Sequence, residues 1–455
     1  MQQDTIAAIA TPLGTGGIGV IRISGSQAIS VGEKVFDSFH EKRLSLMKGY
    51  TCAYGTVHDE QGKIDEVVAT VFRAPHSYTG EDTVEFAAHG GVYLLNRLLR
   101  ACCAAGARLA QAGEFTRRAF LNGKLDLTQA EAIGDLIAAQ GRQAAQAAFA
   151  AREGALFHKL EGISNRLVSQ AAHLAAWIDY PEEEISELDP VALKQELGDC
   201  HLQLKQLLAS YDTGKMVREG IQVAIVGRPN TGKSTLMNLL TGYQRSIVAD
   251  LAGTTRDIVS DTIRLGDLIL HLSDTAGIRN TDDPIEQAGV QLAEGQLQQA
   301  QLVLAVFDGS DLLSEDDQRV IAQCQQLDCI ALVNKSDLPQ QLQLELLQEA
   351  FQDVLVLTAK STDSLERLQE AITNKLALGN FDSAAAMLAN ERQRQGVSRA
   401  QQELGEAIDA LQLGVSYDAV CVCIENAIDA LLELTGKRAS QEVIDQVFAN
   451  FCVGK

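Results

Sequence analysis

At 455 residues the chain exceeds what one hydrophobic core can fill, so two to four domains are expected. With 46% hydrophobic and 5% aromatic residues and only seven prolines, disordered and fibrous classes are excluded, and no apolar run approaches the roughly 20 residues of a membrane span. Lys and Arg total 38 against 60 Asp and Glu, a net charge of −22 that repels phosphate backbones and anionic lipid at long range; any RNA contact has to be local or lent by a partner.

Residues 1–122 mix short β-like runs (VIRIS, EVVATVFRA, DTVEFAAHG) with glycine-marked turns and one amphipathic helix near GVYLLNRLLRACCAAG, the pattern of a small α+β domain. Residues 123–215 carry long Ala/Gln/Leu stretches at helical spacing, broken at Pro181. Over residues 216–378, apolar strand-like runs that end in polar loops alternate with helices, which predicts a mainly parallel α/β sheet with its working loops at the strand C-termini. Helical character returns over residues 379–455. The fold class expected is therefore multidomain, α+β followed by helical, with a P-loop α/β module inserted into the helical part.

The stretch GRPNTGKST, Gly227 to Thr235, follows the apolar run IQVAIV and opens the helix-like STLMNLL, the setting a phosphate-binding loop requires. Bare patterns of this kind also arise by chance in structural loops; strand and helix in place set that reading aside. Gly227 and Gly232 allow backbone N–H groups to close around phosphates, with Asn230, Thr231 and Thr235 in the same loop. Lys233 can pair with the β- and γ-phosphates, and Ser234 can offer its hydroxyl to Mg²⁺. Downstream, DTAG (Asp274, Thr275, Ala276, Gly277), NKSD (Asn334, Lys335, Asp337) and TAK (Thr358, Ala359, Lys360) follow in the order of a GTPase. Asp274 can hold Mg²⁺ through water, and the Gly277 N–H can sense the γ-phosphate. Asp337 can accept from guanine N1–H and the exocyclic amine, neither of which adenine presents, so an ATPase is disfavoured. AGTTRD places Thr255 to reach Mg²⁺ as a switch threonine. Ile278 stands where Ras-type enzymes carry a water-orienting glutamine, so another group has to do that work.

Nine cysteines show no C-x-x-C pair and no zinc-like spacing with the eight histidines, and read as reduced cytoplasmic thiols. MQQDTIAAIATPLG has no basic leader, so export is not expected. GTGGIG, Gly14 to Gly19, matches a dinucleotide fingerprint literally, yet a strand follows it where a helix is required. The terminal CVGK offers Cys452 as a lipid anchor, a redox thiol or part of a substrate site. Gly454 and Lys455 are wrong for prenylation, and no second thiol lies nearby in sequence.

ATPLGTGGIGVIRISG, GEFTRRAFLNGKLDLTQAEAI, GRPNTGKST, AGTTRD, DTAGIR and CVGK together resemble the MnmE (TrmE) family of tRNA-modification GTPases over essentially the whole chain. The resemblance implies a homodimeric, potassium-dependent GTPase that works with the FAD-containing partner MnmG on C5 of the tRNA wobble uridine. By that resemblance Asn230 looks like the side-chain ligand of K⁺, with carbonyls of Ala249, Leu251 and Thr254 completing the cage. A cation there supplies charge where other GTPases use an arginine finger. Glu286 looks like the residue that orients the attacking water; as a bare residue it reads equally as a solvated helix-start glutamate. The N-terminal domain resembles a folate domain, with Arg22, Glu85, Lys124 and Lys455 looking like ligands of 5-formyl- or 5,10-methylene-tetrahydrofolate and Cys452 delivered to the same pocket. As bare residues, Arg22 and Lys124 read as surface charges. The alternative from another class is a regulatory GTPase switch, acting in ribosome assembly or signalling without modification chemistry.

Overall fold

A computed structural model of the chain describes residues 4–179, 189–243, 261–274, 297–449 and 451–454. Two compact units emerge: residues 1–134, 151–205 and 395–455 form the first, and residues 135–150 and 206–394 the second.

The first unit opens with β1 (Ile6–Ile9), β2 (Gly16–Ser24), α1 (Ala28–Val35), β3 (Phe36–Ser38), β4 (Thr51–Asp59), β5 (Gly62–Phe72), β6 (Thr83–Gly90), α2 (Val92–Ala104), β7 (Arg108–Leu109) and α3 (Glu114–Leu121). The strands make one seven-stranded sheet in the order β3-β4-β5-β6-β2-β1-β7, antiparallel except for the β1–β7 pair. Alternation explains its burial. Ile21, Ile23, Val67, Ala69, Val71, Val84 and Phe86 face inward and pack with Val31 and Val35 of α1 and Leu95 and Leu98 of α2. Tyr54 and Val68, on the other face, remain exposed. GTGGIG leads into β2, as the sequence implied. Strands β1, β3, β4 and β7 carry weaker alternation and were not singled out from sequence.

The helices that follow are α4 (Leu127–Ala138), α5 (Arg142–Arg152), α6 (Ala155–Asp179), α7 (Pro190–Ala209) and α8 (Tyr211–Glu219). The chain then builds the second unit's sheet from β8 (Ile221–Val226), α9 (Lys233–Tyr243), β9 (Asp261–Leu265), β10 (Leu268–Asp274), β11 (Leu302–Asp308), α10 (Glu315–Cys324), β12 (Cys329–Asn334), α11 (Leu344–Ala350), β13 (Asp353–Val356) and α12 (Asp363–Lys375). Strand order is β13-β12-β11-β8-β10-β9, parallel except for the β10–β9 hairpin at the edge. Every residue of β11 and β12 is buried, because helices cover both faces of the sheet. Strand β9, joined to β10 by Gly266, is the element of this sheet the sequence did not announce.

The last helices, α13 (Glu391–Leu413), α14 (Tyr417–Thr435) and α15 (Gln441–Ala449), return to the first unit. Leu156, Leu160, Ile163, Leu167, Ala171 and Leu174 of α6 recur at three- and four-residue steps and form its buried stripe, as Val420, Ile424, Ala427, Leu431 and Leu434 do for α14. Trp177 meets Tyr417 edge-on with ring centroids 5.2 Å apart, and Lys437 bonds Glu161 at 2.8 Å, so helices before and after the inserted sheet pack together. Among the described residues, no helix is long and apolar enough to cross a membrane.

The C-terminal tail docks on the N-terminal sheet. Val453 bridges Ala112 antiparallel, and the Gly113 N–H donates to the Cys452 carbonyl at 3.3 Å. Both glycines at this contact are obligatory: Gly113 (φ +65°) lies against the Phe448 backbone and Gly454 (φ +98°) against the Ile9 carbonyl, and a Cβ on either would collide. Phe448 packs between Phe120 and Phe451, at centroid distances of 6.1 and 5.4 Å.

Helix α3, which carries this contact, is anchored by charge. Arg108 reaches Asp4 at 2.5 Å and Glu114 at 2.5 Å, while Arg118 reaches Asp4 at 2.9 Å, Glu114 at 3.1 Å and Glu81 at 3.2 Å. The Arg108 hydrogen bond holds the Asp4 carboxyl below its ordinary range. Burial acts to raise Glu114, but hydrogen bonds from Arg108, the Gln111 backbone and Arg118 outweigh it and lower its value as well. A carboxylate with a depressed folded value contributes stability that is complete above its unfolded value and lost as pH falls through the folded one. Glu114→Gln, which removes one shared carboxylate while leaving Asp4 to both arginines and Glu81 to Arg118, is expected to cost about 1–3 kcal/mol at pH 7. Its melting curve should converge on that of the wild-type chain as pH falls below about 4; a gap independent of pH in calorimetry would contradict this.

Candidate functional site

The second unit gathers the nucleotide motifs at one edge of its sheet. Strand β8 ends at Val226 and the chain turns sharply: Gly227 (φ +150°) lies against the Val306 carbonyl and Gly232 (φ +98°) against the Asn334 side chain, where a Cβ would clash in both cases. Between them Asn230 takes a left-handed conformation (φ +67°), which asparagine tolerates better than most residues. Asn230, Ser234 and Thr235 face solvent, whereas Thr231 is fully buried and donates to the Arg228 carbonyl at 3.1 Å. Lys233 donates to the carbonyls of Gly227 at 2.7 Å and Arg228 at 2.8 Å, so its ammonium is held against the loop where phosphates are expected.

Asn334, the last residue of β12, joins three of the motifs. Its Nδ2 donates to the Thr231 carbonyl at 2.8 Å and its Oδ1 accepts from the Ala359 N–H at 2.9 Å, all at 3% exposure. One amide thus fixes the phosphate loop and the TAK turn to a single strand end, and its buried polar atoms are satisfied by doing so. Lys335 (φ +64°) bonds Asp308 Oδ2 at 2.5 Å. Asp337 Oδ1 accepts from Thr358 at 3.0 Å and Oδ2 from Lys360 at 2.8 Å; these two hydrogen bonds, Lys360 first, hold its carboxyl below the ordinary range. An ionised carboxylate at the rim of the site is what recognition of guanine's two donors requires.

Asp274 ends β10, next to β8, and so lies at the same edge of the sheet. Thr275, Ala276, Gly277, Thr254, Thr255, Ala249, Leu251 and Glu286 lie outside the described residues, as does Lys455. Two residues at this edge escaped the sequence reading. Arg228 stands within the loop motif without an assigned role, and Asp308 closes the apolar run of β11, and neither residue type is fixed by a phosphate-loop pattern.

The first unit holds the other predicted set. Arg22 on β2 pairs with Glu85 directly across on β6, Nε to Oε1 at 2.7 Å. Its guanidinium also lies 5.4 Å from the Tyr78 ring and 5.6 Å from the Phe115 ring, within cation–π range of both. Lys124 bonds the Pro75 carbonyl at 3.0 Å, three residues before Tyr78. Phe115 is two residues from Gly113, whose N–H meets the Cys452 carbonyl, so α3 carries both an arginine-facing ring and the tail contact. Cys452 is exposed, while Cys102, Cys200, Cys324, Cys329 and Cys421 are buried; burial pushes the Cys102 thiol up to about 12. Neither ring is signalled in sequence, since an aromatic carries no charge pattern, although Phe115 lies within GEFTRRAFLNGKLDLTQAEAI and Tyr78 between EVVATVFRA and DTVEFAAHG.

A family model described as the MnmE helical domain matches residues 127–452, and one described as the GTP-binding protein TrmE N-terminus matches residues 5–124. A tRNA modification GTPase MnmE of Symbiobacterium thermophilum is 41% identical over 459 residues, covering 100% of both chains. One from Clostridioides difficile is 37% identical over 456 residues, with 100% of this chain and 99% of that one covered. Among solved structures, a variant of Era from Aquifex aeolicus bound to GDP and aluminium fluoride is 25% identical, covering 40% of this chain and 66% of that one at a TM-score of 0.27, too loose a superposition to build on.

Removing the Asn334 amide tests the junction. Asn334→Ala leaves the Thr231 carbonyl and the Ala359 N–H buried and unpaired, at about 1–3 kcal/mol each. The thermal transition should fall accordingly, and calorimetric titration should show GDP affinity reduced at least about tenfold; wild-type affinity would deny the junction its role.

Proposed function

The chain belongs to the MnmE family of tRNA modification GTPases, and from that premise we propose that its GTP hydrolysis is potassium-dependent and drives C5 modification of the tRNA wobble uridine. In this reading the modification is of the carboxymethylaminomethyl type, it uses a folate one-carbon unit, and it proceeds with the FAD-containing partner MnmG. The observation that carries the proposal is the docking of the CVGK tail at Ala112 and Gly113, beside the helix that presents Phe115 to Arg22. In this reading the tail, held by two obligatory glycines beside the start of α3, would bring Cys452 to the candidate folate residues.

The donor chemistry fits the groups it is asked to hold. Glu85 can accept from pterin-type N–H groups, Arg22 and Lys124 can meet carbonyl or carboxylate oxygens, and the Tyr78 and Phe115 rings offer flat apolar surface to a heteroaromatic ring. Tetrahydrofolate, when bound, would supply the one-carbon unit; Arg22, Glu85, Lys124 and Lys455 would hold it and Cys452 would line the same chamber. On the nucleotide side, Ser234 and Thr255 would hold Mg²⁺, which neutralises phosphate charge. Asn230 with the carbonyls of Ala249, Leu251 and Thr254 would hold K⁺, and its left-handed backbone and exposed amide leave that side chain open to an ion. Lys233 would exchange its loop carbonyls for phosphate oxygens, Asp337 would select guanine, and Glu286 would orient the attacking water through a hydrogen bond.

The proposal extends to a cytoplasmic homodimer formed through residues 1–122, whose sheet leaves Tyr54 and Val68 uncovered on one face. It also extends to a division into residues 1–122, 123–215, 216–378 and 379–455. The net charge of −22 assigns most tRNA phosphate contacts to the partner. Without the N-terminal candidate site, a purely regulatory switch would account for the nucleotide motifs equally well.

Two measurements test this reading. Replacing Na⁺ by K⁺ should raise kcat for GTP by about tenfold or more, and Glu286→Ala should remove most of that rate with GTP binding retained; equal rates in the two salts would refute the potassium dependence. Cys452→Ser should leave hydrolysis intact while nucleoside analysis of tRNA shows unmodified wobble uridine accumulating; full modification would exclude the thiol, and normal uridines in cells lacking the chain would favour the regulatory alternative.

A further inference from the structure

Strand β11 lies between β8, which feeds the phosphate loop, and β12, which feeds NKSD. Its continuation into α10, Asp308-Gly-Ser-Asp311 and then Ser314-Glu-Asp-Asp317, places three carboxylates between the two loops. Two of them grip the phosphate loop by one arginine: Arg228 Nη2 bonds Asp311 Oδ2 at 2.9 Å, and its Nε lies 3.0 Å from Asp317 Oδ2. Asp317 is 2% exposed and is itself locked, since Oδ2 also accepts from the Ser314 N–H at 3.0 Å and hydroxyl at 2.8 Å in a capping box. The third carboxylate grips the other loop: Asp308 Oδ2 takes Lys335 at 2.5 Å, while Oδ1 accepts from the Ser310 N–H at 3.0 Å and hydroxyl at 2.6 Å. The backbone repeats the link, with the Gly309 N–H donating to the Asn334 carbonyl at 2.9 Å.

What Arg228 holds is functional backbone. Its own carbonyl accepts from Lys233 Nζ at 2.8 Å and Thr231 Oγ1 at 3.1 Å, so the side chain anchors the residue on which the loop's cation rests. We propose that the acidic β11–α10 connection is a frame for nucleotide binding, in which Arg228, held by Asp311 and Asp317, positions the phosphate loop and Asp308, through Lys335, positions the base-recognition loop. Neither Arg228 nor the three carboxylates need touch the nucleotide. They set the spacing between a site for phosphates and a site for the base, and a bound guanine nucleotide has to satisfy both ends at once. This role rests on reading Gly227 to Thr235 as the phosphate cradle.

The test is titration of fluorescent GDP and GTP into the full chain carrying Arg228→Gln, Asp317→Asn, both together, or Asp308→Asn, with steady-state hydrolysis and thermal unfolding on the same samples. Each single variant is expected to weaken nucleotide binding by about tenfold, with the loss in KM for GTP rather than in kcat, and Arg228→Lys to recover part of it. The Arg228→Gln/Asp317→Asn pair should be no weaker than the weaker single variant, because the two groups act as one contact. Affinities within twofold of wild type, whether or not the melting temperature falls, would overturn the proposal and leave the carboxylates a purely structural role. If Asp317→Asn fails to fold, Asp311→Asn, which removes the exposed half of the grip, should still weaken binding by about threefold; an unchanged value would have the same overturning force. Lys233→Ala separates the two levels of inference. If it leaves affinity unchanged the cradle reading fails, whereas if it abolishes binding while Arg228→Gln does nothing, only the frame fails.

Discussion

The nucleotide half of this protein depends on one buried amide. Asn334 ends a strand whose every residue is buried, and it spends both its donor and its acceptor on backbone groups of other loops, Thr231 in the phosphate loop and Ala359 in the TAK turn. Desolvated backbone groups must find partners, and here the partner is common to two loops far apart in sequence. The consequence is geometric. The phosphate loop that carries Lys233 and the turn that carries Lys360 are tied to one strand end. The three carboxylates of the β11–α10 connection act on the phosphate loop through Arg228 and on the NKSD loop through Lys335.

The first unit uses a different constraint, close approach of backbone. Its antiparallel sheet is covered on one face by α1 and α2, and β1 adjoins the docked tail at Ile9. The arginine–carboxylate network of Asp4, Glu81, Arg108, Glu114 and Arg118 holds α3 against the sheet, and α3 holds the tail. Breaking a contact in that series would shift Phe115 and Cys452 together. Arg22 is thereby confined by a carboxylate on one strand and by two rings from neighbouring segments, a preorganisation that reduces the entropy lost when a ligand is gripped.

A tRNA-modifying enzyme with so acidic a chain needs its charge distribution explained. Many of its cations are already committed: Arg22, Arg97, Arg108, Arg118, Arg166 and Arg228 all pair with carboxylates. Such pairs shape loops and helices; they do not present a continuous basic surface to a phosphate backbone.

The sequence by itself determined the class of each unit and the nucleotide chemistry. Period-2 alternation announced β5 and β6, unbroken apolar runs announced β8, β11 and β12, and GRPNTGKST, NKSD and TAK named their ligands, because phosphate binding demands particular residues at fixed local spacing. It did not announce β1, β7 or β9, whose pairing energy comes from distant neighbours and leaves little local pattern. Only the tertiary structure decided that Arg22 is a paired and ring-flanked arginine and not a surface charge, that Asn334 joins two loops, and that Arg228, Asp308 and Asp317 form one electrostatic system. Only it put Val453 beside Ala112. These are contacts between residues tens to hundreds of positions apart, and no spacing rule within a segment encodes them; they exist because strand order and helix docking bring the segments together.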